Sequence, residues 1–132
     1  MGLLGSLDHL LLRAADVDAL VEAYRDALDA VVVGEAGAGR VRMRLANIDV
    51  VIEPGVPSGE VVAAFRIQDA EAFRAHLGRT AFELERVEEV PGAVVLAYRD
   101  PAGNRLQAVR WGGRIEDLVA DGVREGQPSA PR

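Results

Sequence analysis

The sequence predicts an α+β fold built from two consecutive β-α-β-β-β modules, and three observations carry that prediction. Short apolar runs suited to strands surround two amphipathic stretches with helical spacing. Each amphipathic stretch is opened by an aspartate in the N-cap position, Asp16 and Asp69, and the same offset of 53 residues relates Arg13 to Arg66 and His9 to Val62. Between the two sets lies Pro54-Gly55-Val56-Pro57-Ser58-Gly59, a turn-rich linker.

In the first module, Leu7 to Leu12 reads as a buried strand, and Asp16 then opens a helix on which Val17, Leu20, Val21, Tyr24 and Leu28 recur on one side. Ala30 to Val33 follows as a strand. Arg40 to Leu45 and Ile48 to Glu53 then form a hairpin turning at Ala46-Asn47. In the second module, Val61 to Ile67 is a strand, and Asp69 opens a helix running through Phe73 and Leu77 to Gly78. Phe82 to Val87, Ala93 to Tyr98 and Asn104 to Trp111 complete the set. The last hairpin turns at Asp100-Pro101-Ala102-Gly103-Asn104, where proline presets the first turn angle and Gly103 supplies a positive φ. Residues 113–132 lie outside the repeat. Ile115, Leu118, Val119 and Val123 space as a short amphipathic helix, and the last eight or so residues read as a loose polar tail.

Composition narrows the chemistry. The 132 residues are 49% hydrophobic and carry a net charge of −6, so the chain reads as a folded domain repelled by polyanions such as nucleic acid. No apolar run reaches the roughly 20 residues of a membrane span, and the N-terminus lacks the features of a secretory signal, which predicts a cytoplasmic address. There is no cysteine, and all fifteen basic residues are arginine, so thiolate and Schiff-base chemistry are excluded. Metal-assisted chemistry, histidine or carboxylate acid-base work, and binding without chemistry remain.

Strand alternation sorts the candidate residues by face. His9, Arg13, Val62, Arg66, Arg105, Gln107 and Trp111 fall on one side of their strands, with Asp49 and Glu53 on the matching side of theirs. Arg40, Arg42 and Arg44 oppose Val41, Met43 and Leu45, so the arginine side faces away from the helix, either as an anion-binding lining or as solvated gatekeepers against aggregation. His76, near the end of the second helix, receives no role.

The stretches Leu7-Asp8-His9, Tyr24-Arg25-Asp26-Ala27-Leu28, Val62 to Asp69 and Asp100 to Gln107, set in the duplicated module order, resemble the vicinal oxygen chelate superfamily. That group includes glyoxalase I, bleomycin-resistance proteins, methylmalonyl-CoA epimerase and extradiol dioxygenases. The resemblance covers residues 5–112, as modules 5–57 and 60–112, and departs at Asp29, where the family usually has glycine. It implies strands curved around a cleft, a small-molecule ligand and a homodimer. It also implies four ligand positions, occupied here by His9, Glu53, Val62 and Gln107, with Gln107 standing as the counterpart of Glu53 and Val62 as that of His9. A divalent ion (nickel, zinc, cobalt, manganese or iron) would then rest on His9, Glu53 and Gln107, a set degenerate in charge.

Three functions follow as expectations. The first is a glyoxalase- or bleomycin-resistance-like binder of an anionic or polar molecule through Arg13, Arg66, Arg105 and Gln107, with Tyr98 and Trp111 as apolar walls. The second is a metal-dependent lyase or isomerase. The third is a metal-free enzyme in which Glu53 or His9 moves a proton.

Overall fold

The computed structural model describes residue 3, residues 7–59 and residues 62–112. Its elements are β1 (Leu10–Ala14), α1 (Val17–Leu28), β2 (Val31–Gly37), β3 (Arg40–Leu45), β4 (Ile48–Pro54), β5 (Val62–Arg66), α2 (Ala70–Leu77), β6 (Glu83–Val90), β7 (Ala93–Arg99) and β8 (Arg105–Trp111). They form two four-stranded mixed sheets, ordered β1-β4-β3-β2 and β5-β8-β7-β6, in which the first strand of each set pairs in parallel with the last. The chain divides into two compact units, Met1–Ser58 with Ala102–Asn104, and Gly59–Pro101 with Arg105–Arg132. The helix expected within residues 113–132 lies outside the described residues.

In the first unit, Asp16 takes an extended conformation and accepts a hydrogen bond from the Ala19 amide at 3.0 Å, which satisfies one of the donors left open at the start of α1. Val17, Leu20, Val21, Tyr24 and Ala27 then face the sheet. Leu12, Ala14, Met43, Leu45, Val50 and Ile52 are the buried residues beneath them. Asp29 ends the helix with φ 55, the left-handed region in which glycine costs nothing and aspartate is tolerated through its short polar side chain. The second unit repeats the plan: Asp69 accepts from the Ala72 amide at 2.9 Å, and α2 packs on β7 and β8. Phe73 there meets Tyr98 edge to face at 5.8 Å.

Three expectations change. β1 begins at Leu10, so Leu7 to His9 precede the strand; the ladder with β4 opens at Leu10 opposite Val50. β2 runs on to Gly37 through two bulges instead of ending at Val33, because β3 offers partners as far as Arg40. Gly78 closes α2 at φ −63, without a left-handed turn.

The Asp100–Asn104 turn behaves as the residues dictate, with Gly103 at φ 104. Asn104 is 7% exposed, and its side chain donates to the Arg13 carbonyl at 2.9 Å while accepting from the Arg13 amide at 3.3 Å. The amide thereby pairs with one residue of β1 as a neighbouring strand would. Asn104→Ala leaves both backbone groups of Arg13 without that partner and is expected to cost about 1–3 kcal/mol, read as a lowered urea midpoint at unchanged m-value.

Candidate functional site

In each unit the helix covers one side of the sheet, and the charged residues lie on the other. On the first unit's open face, Arg13 stands directly across from Glu53 and donates Nε to its carboxylate at 2.8 Å. Arg44 stands across from Asp49, and Arg42 and Arg44 both donate Nε to the Asp49 carboxylate, Arg42 at 2.7 Å. Arg42 also grips Asp8, through the carboxylate at 3.2 Å and the carbonyl at 2.9 Å. Asp8 in turn lies 2.9 Å from His9 Nδ1. Every arginine of β1 and β3 on this face except Arg40 is thus matched by a carboxylate, and Arg40 donates to the carbonyls of Ala36 and Gly37.

These pairings set the ionisation of the face. Hydrogen bonds from Arg44 and then from Arg42 hold the Asp49 carboxyl below its ordinary value. The His9 ring, followed by Arg42, does the same for Asp8. Asp49, followed by Asp8, raises Arg42.

The second unit's open face is built on the same register with different charges. Arg66 stands across from Val109 where the first unit has Arg13 across from Glu53. Val62 neighbours Arg105, and Arg105 stands across from Arg99, two guanidinium groups directly opposed on adjacent strands. The corresponding pair in the first unit is Arg44 and Asp49, opposite in sign. Arg99 donates Nε to Glu85 at 2.6 Å, and Arg105 donates Nη1 to the Gly59 carbonyl at 3.2 Å. Arg66 is exposed and has no hydrogen-bond or ion-pair partner among the described residues. Between these levels Gln107 is flanked by Ala64 on one side and Ala97 on the other, so only methyl groups stand beside its amide.

The expected site residues therefore separate. Arg66, Arg105 and Gln107 share the open face of the second sheet, and Trp111 lies at the far end of that row, 51% exposed. Tyr98 does not belong with them. It is 2% exposed and faces α2, because β7 alternates and Tyr98 pairs with the core residue Leu106; with Phe82 and Leu84 it lines a cavity of about 400 Å³ on the helix side. Arg13 and Glu53 neutralise one another. The counterpart relation also changes: by register Glu53 corresponds to Val109, and Gln107 to Val51. The offset between the units is 53 at the first strand and 56 at the last, since the second unit's connections are longer.

His9 and Glu53 are each engaged with a neighbour, His9 Nδ1 with Asp8 and Glu53 with Arg13. With β4 in register from Val50 to Glu53 against Leu10 to Arg13, the two residues are four steps apart along the strands, about 13 Å at ~3.3 Å per residue. Among the described residues, no group of three or more His, Asp or Glu side chains is placed to hold a metal.

Arg99 is a member of the face that strand alternation alone left out, and β6 adds Glu83, Arg86 and Glu88 through their pairing with Arg99, Ala97 and Val95. The signal for Arg99 is in the sequence: Arg99 and Arg105 bracket the Asp100–Asn104 turn symmetrically and so close the hairpin as opposed neighbours.

One pH dependence follows. Folding lowers the pKa of Asp8 and Asp49, so their ionised forms add stability above the ordinary value of 3.8, and that contribution drains away as the pH falls below it. In Asp49→Asn the drop in melting temperature below pH about 4 is expected to be shallower than in the unaltered chain, and a slope as steep as wild type would contradict the assignment.

No family model matches the sequence, and no curated protein matches it. Solved structures do match. A mutant of the fosfomycin resistance protein FosX from Listeria monocytogenes, complexed with Mn(II) and 1S,2S-dihydroxypropylphosphonic acid, superposes with a TM-score of 0.71 at 16% identity, covering 91% of this chain and 99% of that one. A glyoxalase/bleomycin resistance protein/dioxygenase from Nocardioides superposes with a TM-score of 0.69 at 17% identity, over 87% of this chain and 90% of that one. For lactoylglutathione lyase from Agrobacterium tumefaciens the TM-score is 0.67 at 16% identity, over 83% and 96%. Among the described residues, no helix is long and apolar enough to cross a membrane. The duplicated module order, the strand pairing and these likenesses agree, and the chain has the fold of the vicinal oxygen chelate superfamily.

Proposed function

We propose that this protein binds a small anionic molecule on the open face of its second sheet, through Arg99, Arg105, Arg66 and Gln107, without a resident metal ion. The observation that carries the reading is the opposed pair Arg99 and Arg105. Like charges directly across a ladder destabilise a sheet, and the first unit resolves the same position with an arginine and an aspartate. Where Asp49 and Glu53 offset arginines on the first face, Arg105 and Val109 occupy the same register positions on the second, whose carboxylates come instead from β6: Glu85 pairs with Arg99, Glu83 stands across from it, and Glu88 pairs with Arg86. A bound carboxylate, phosphate or phosphonate would give Arg105 and Arg66 the anionic partner that Arg99 finds in Glu85, because guanidinium groups hold such anions with paired charge-assisted hydrogen bonds.

The chemistry of the neighbours agrees with that class of ligand. A FosX mutant was crystallised with Mn(II) and a phosphonic acid, and FosX with Mn(II) and a sulfate ion. The positions that the resemblance assigns to a metal in this unit are Val62, which has no donor atom, and Gln107, a neutral amide. Gln107 suits ligand recognition better, since its amide both donates and accepts.

A second reading, a divalent-metal-dependent lyase or isomerase, draws on the Mn(II) of FosX. It would place the ion on His9 Nε2, with Nδ1 kept on Asp8 as metal-bound histidines commonly are, and on Glu53, whose other oxygen is held by Arg13. Turnover that a chelator abolishes and added Mn(II) restores would establish it in place of the binder.

Titration calorimetry with methylphosphonate in the presence of a chelator tests the proposal. Binding is expected to survive the chelator, to weaken about tenfold or more in Arg105→Gln, and to be unaltered in Arg25→Gln, whose guanidinium pairs with Glu22 on the outside of α1. Equal affinity in the Arg105 and Arg25 variants would refute the assignment.

A further inference from the structure

We infer that the cavity on the helix side of the second unit is a binding site of its own, for a small aromatic acid; it lies on the opposite side of the sheet from the anion-binding face and does not depend on it. The cavity follows from helix length. α2 has 8 residues where α1 has 12, a difference of about 6 Å at ~1.5 Å per residue, and it packs on β7 and β8. Leu84 of β6 is therefore only half-buried, although Tyr98 across from it on β7 is buried. The hollow of about 400 Å³ lies where these two residues meet the last turn of α2, and its volume falls within the roughly 300–1,000 Å³ of small-molecule sites.

Its wall is apolar and set in place. Leu77, Phe82 and Tyr98 line it and are buried, and Phe73 meets the Tyr98 ring edge to face. The Thr80 hydroxyl donates to the Leu77 carbonyl at 2.7 Å and accepts from the Phe82 amide at 3.2 Å, which ties the turn after α2 and seats Phe82 in the wall. Two aromatic rings in one wall suit a planar aromatic body, which they can meet edge to face or offset.

The mouth is cationic. Arg74 and Arg79 complete the lining, and no acidic residue is among the described residues that form it. Basic side chains near a helix C-terminus commonly serve its last carbonyls. Here the backbone meets that need: the amides of Gly78, Arg79 and Thr80 donate to the carbonyls of Arg74, His76 and Leu77 at 2.9, 3.1 and 3.0 Å. The Arg79 side chain makes no hydrogen bond or ion pair with another described residue. Its guanidinium can hold a carboxylate at the mouth by paired hydrogen bonds while the ring of the same molecule displaces water from Leu77, Phe82 and Tyr98. The C-terminal end of α2 is the negative pole of the helix, so an anion is held there only through the guanidinium groups.

Titration calorimetry compares cinnamate with its neutral amide, cinnamamide, in methylphosphonate at a concentration that saturates the open face. Cinnamate is expected to bind about tenfold more tightly than the amide, and Arg79→Gln to bring it down to the amide's affinity while leaving the amide unaffected. Arg79 is exposed, so its substitution tests charge and not folding. Equal binding of acid and amide, an advantage of the acid that survives Arg79→Gln, displacement of cinnamate by methylphosphonate, or no binding of either probe overturns this site. Failure of methylphosphonate itself to bind overturns the open-face reading alone, and the cinnamate comparison still decides the cavity.

Discussion

One helix can cover only one side of a four-stranded sheet, and the pleat sends alternate side chains to opposite sides. That constraint governs both units. The side under α1 takes Leu12, Met43, Leu45, Val50 and Ile52, and the side under α2 takes Leu96, Tyr98, Leu106 and Ala108. Ionised groups are then confined to the remaining face, where they must find partners across strands or in solution. The arginines of β3 and the carboxylates of β4 lie together for this reason.

The internal repeat acts as its own control. Two positions of one sheet register hold Asp49 and Glu53 in the first unit, each facing an arginine, and Arg105 and Val109 in the second, where arginines also face them. The backbone arrangement is shared, so the difference is a matter of side-chain charge. One face is closed on itself by Arg13, Arg42, Arg44 and their carboxylates. The other carries Arg66 without such a partner among the described residues and sets Arg105 beside Arg99, which pairs with Glu85.

Much of this was legible in the residues. Asp16 and Asp69 announce the helices, and the alternation of Arg40, Arg42 and Arg44 with Val41, Met43 and Leu45 sorts β3 before any coordinates exist. Other features were not. Leu7 to His9 has a strand-like composition, yet it lies outside the ladder with β4, and the counterpart of Glu53 moved from Gln107 to Val109 once the longer connections of the second unit were counted through the pairing. Tyr98 is expected from its sequence as an apolar wall of the site; its pairing with Leu106 puts it in the core.

By itself the sequence determined the order of elements, the caps, the turn at Gly103 and which residues of each strand share a face, since all of these depend on neighbours within a few positions along the chain. Only the tertiary structure decided which residues stand across from one another. Cross-strand register depends on how connections of unequal length close, and neither composition nor periodicity encodes that length as a distance. Whether Arg105 meets an aspartate or Arg99, and whether Arg66 meets a glutamate or Val109, is a question of register, and the character of the candidate site turns on it.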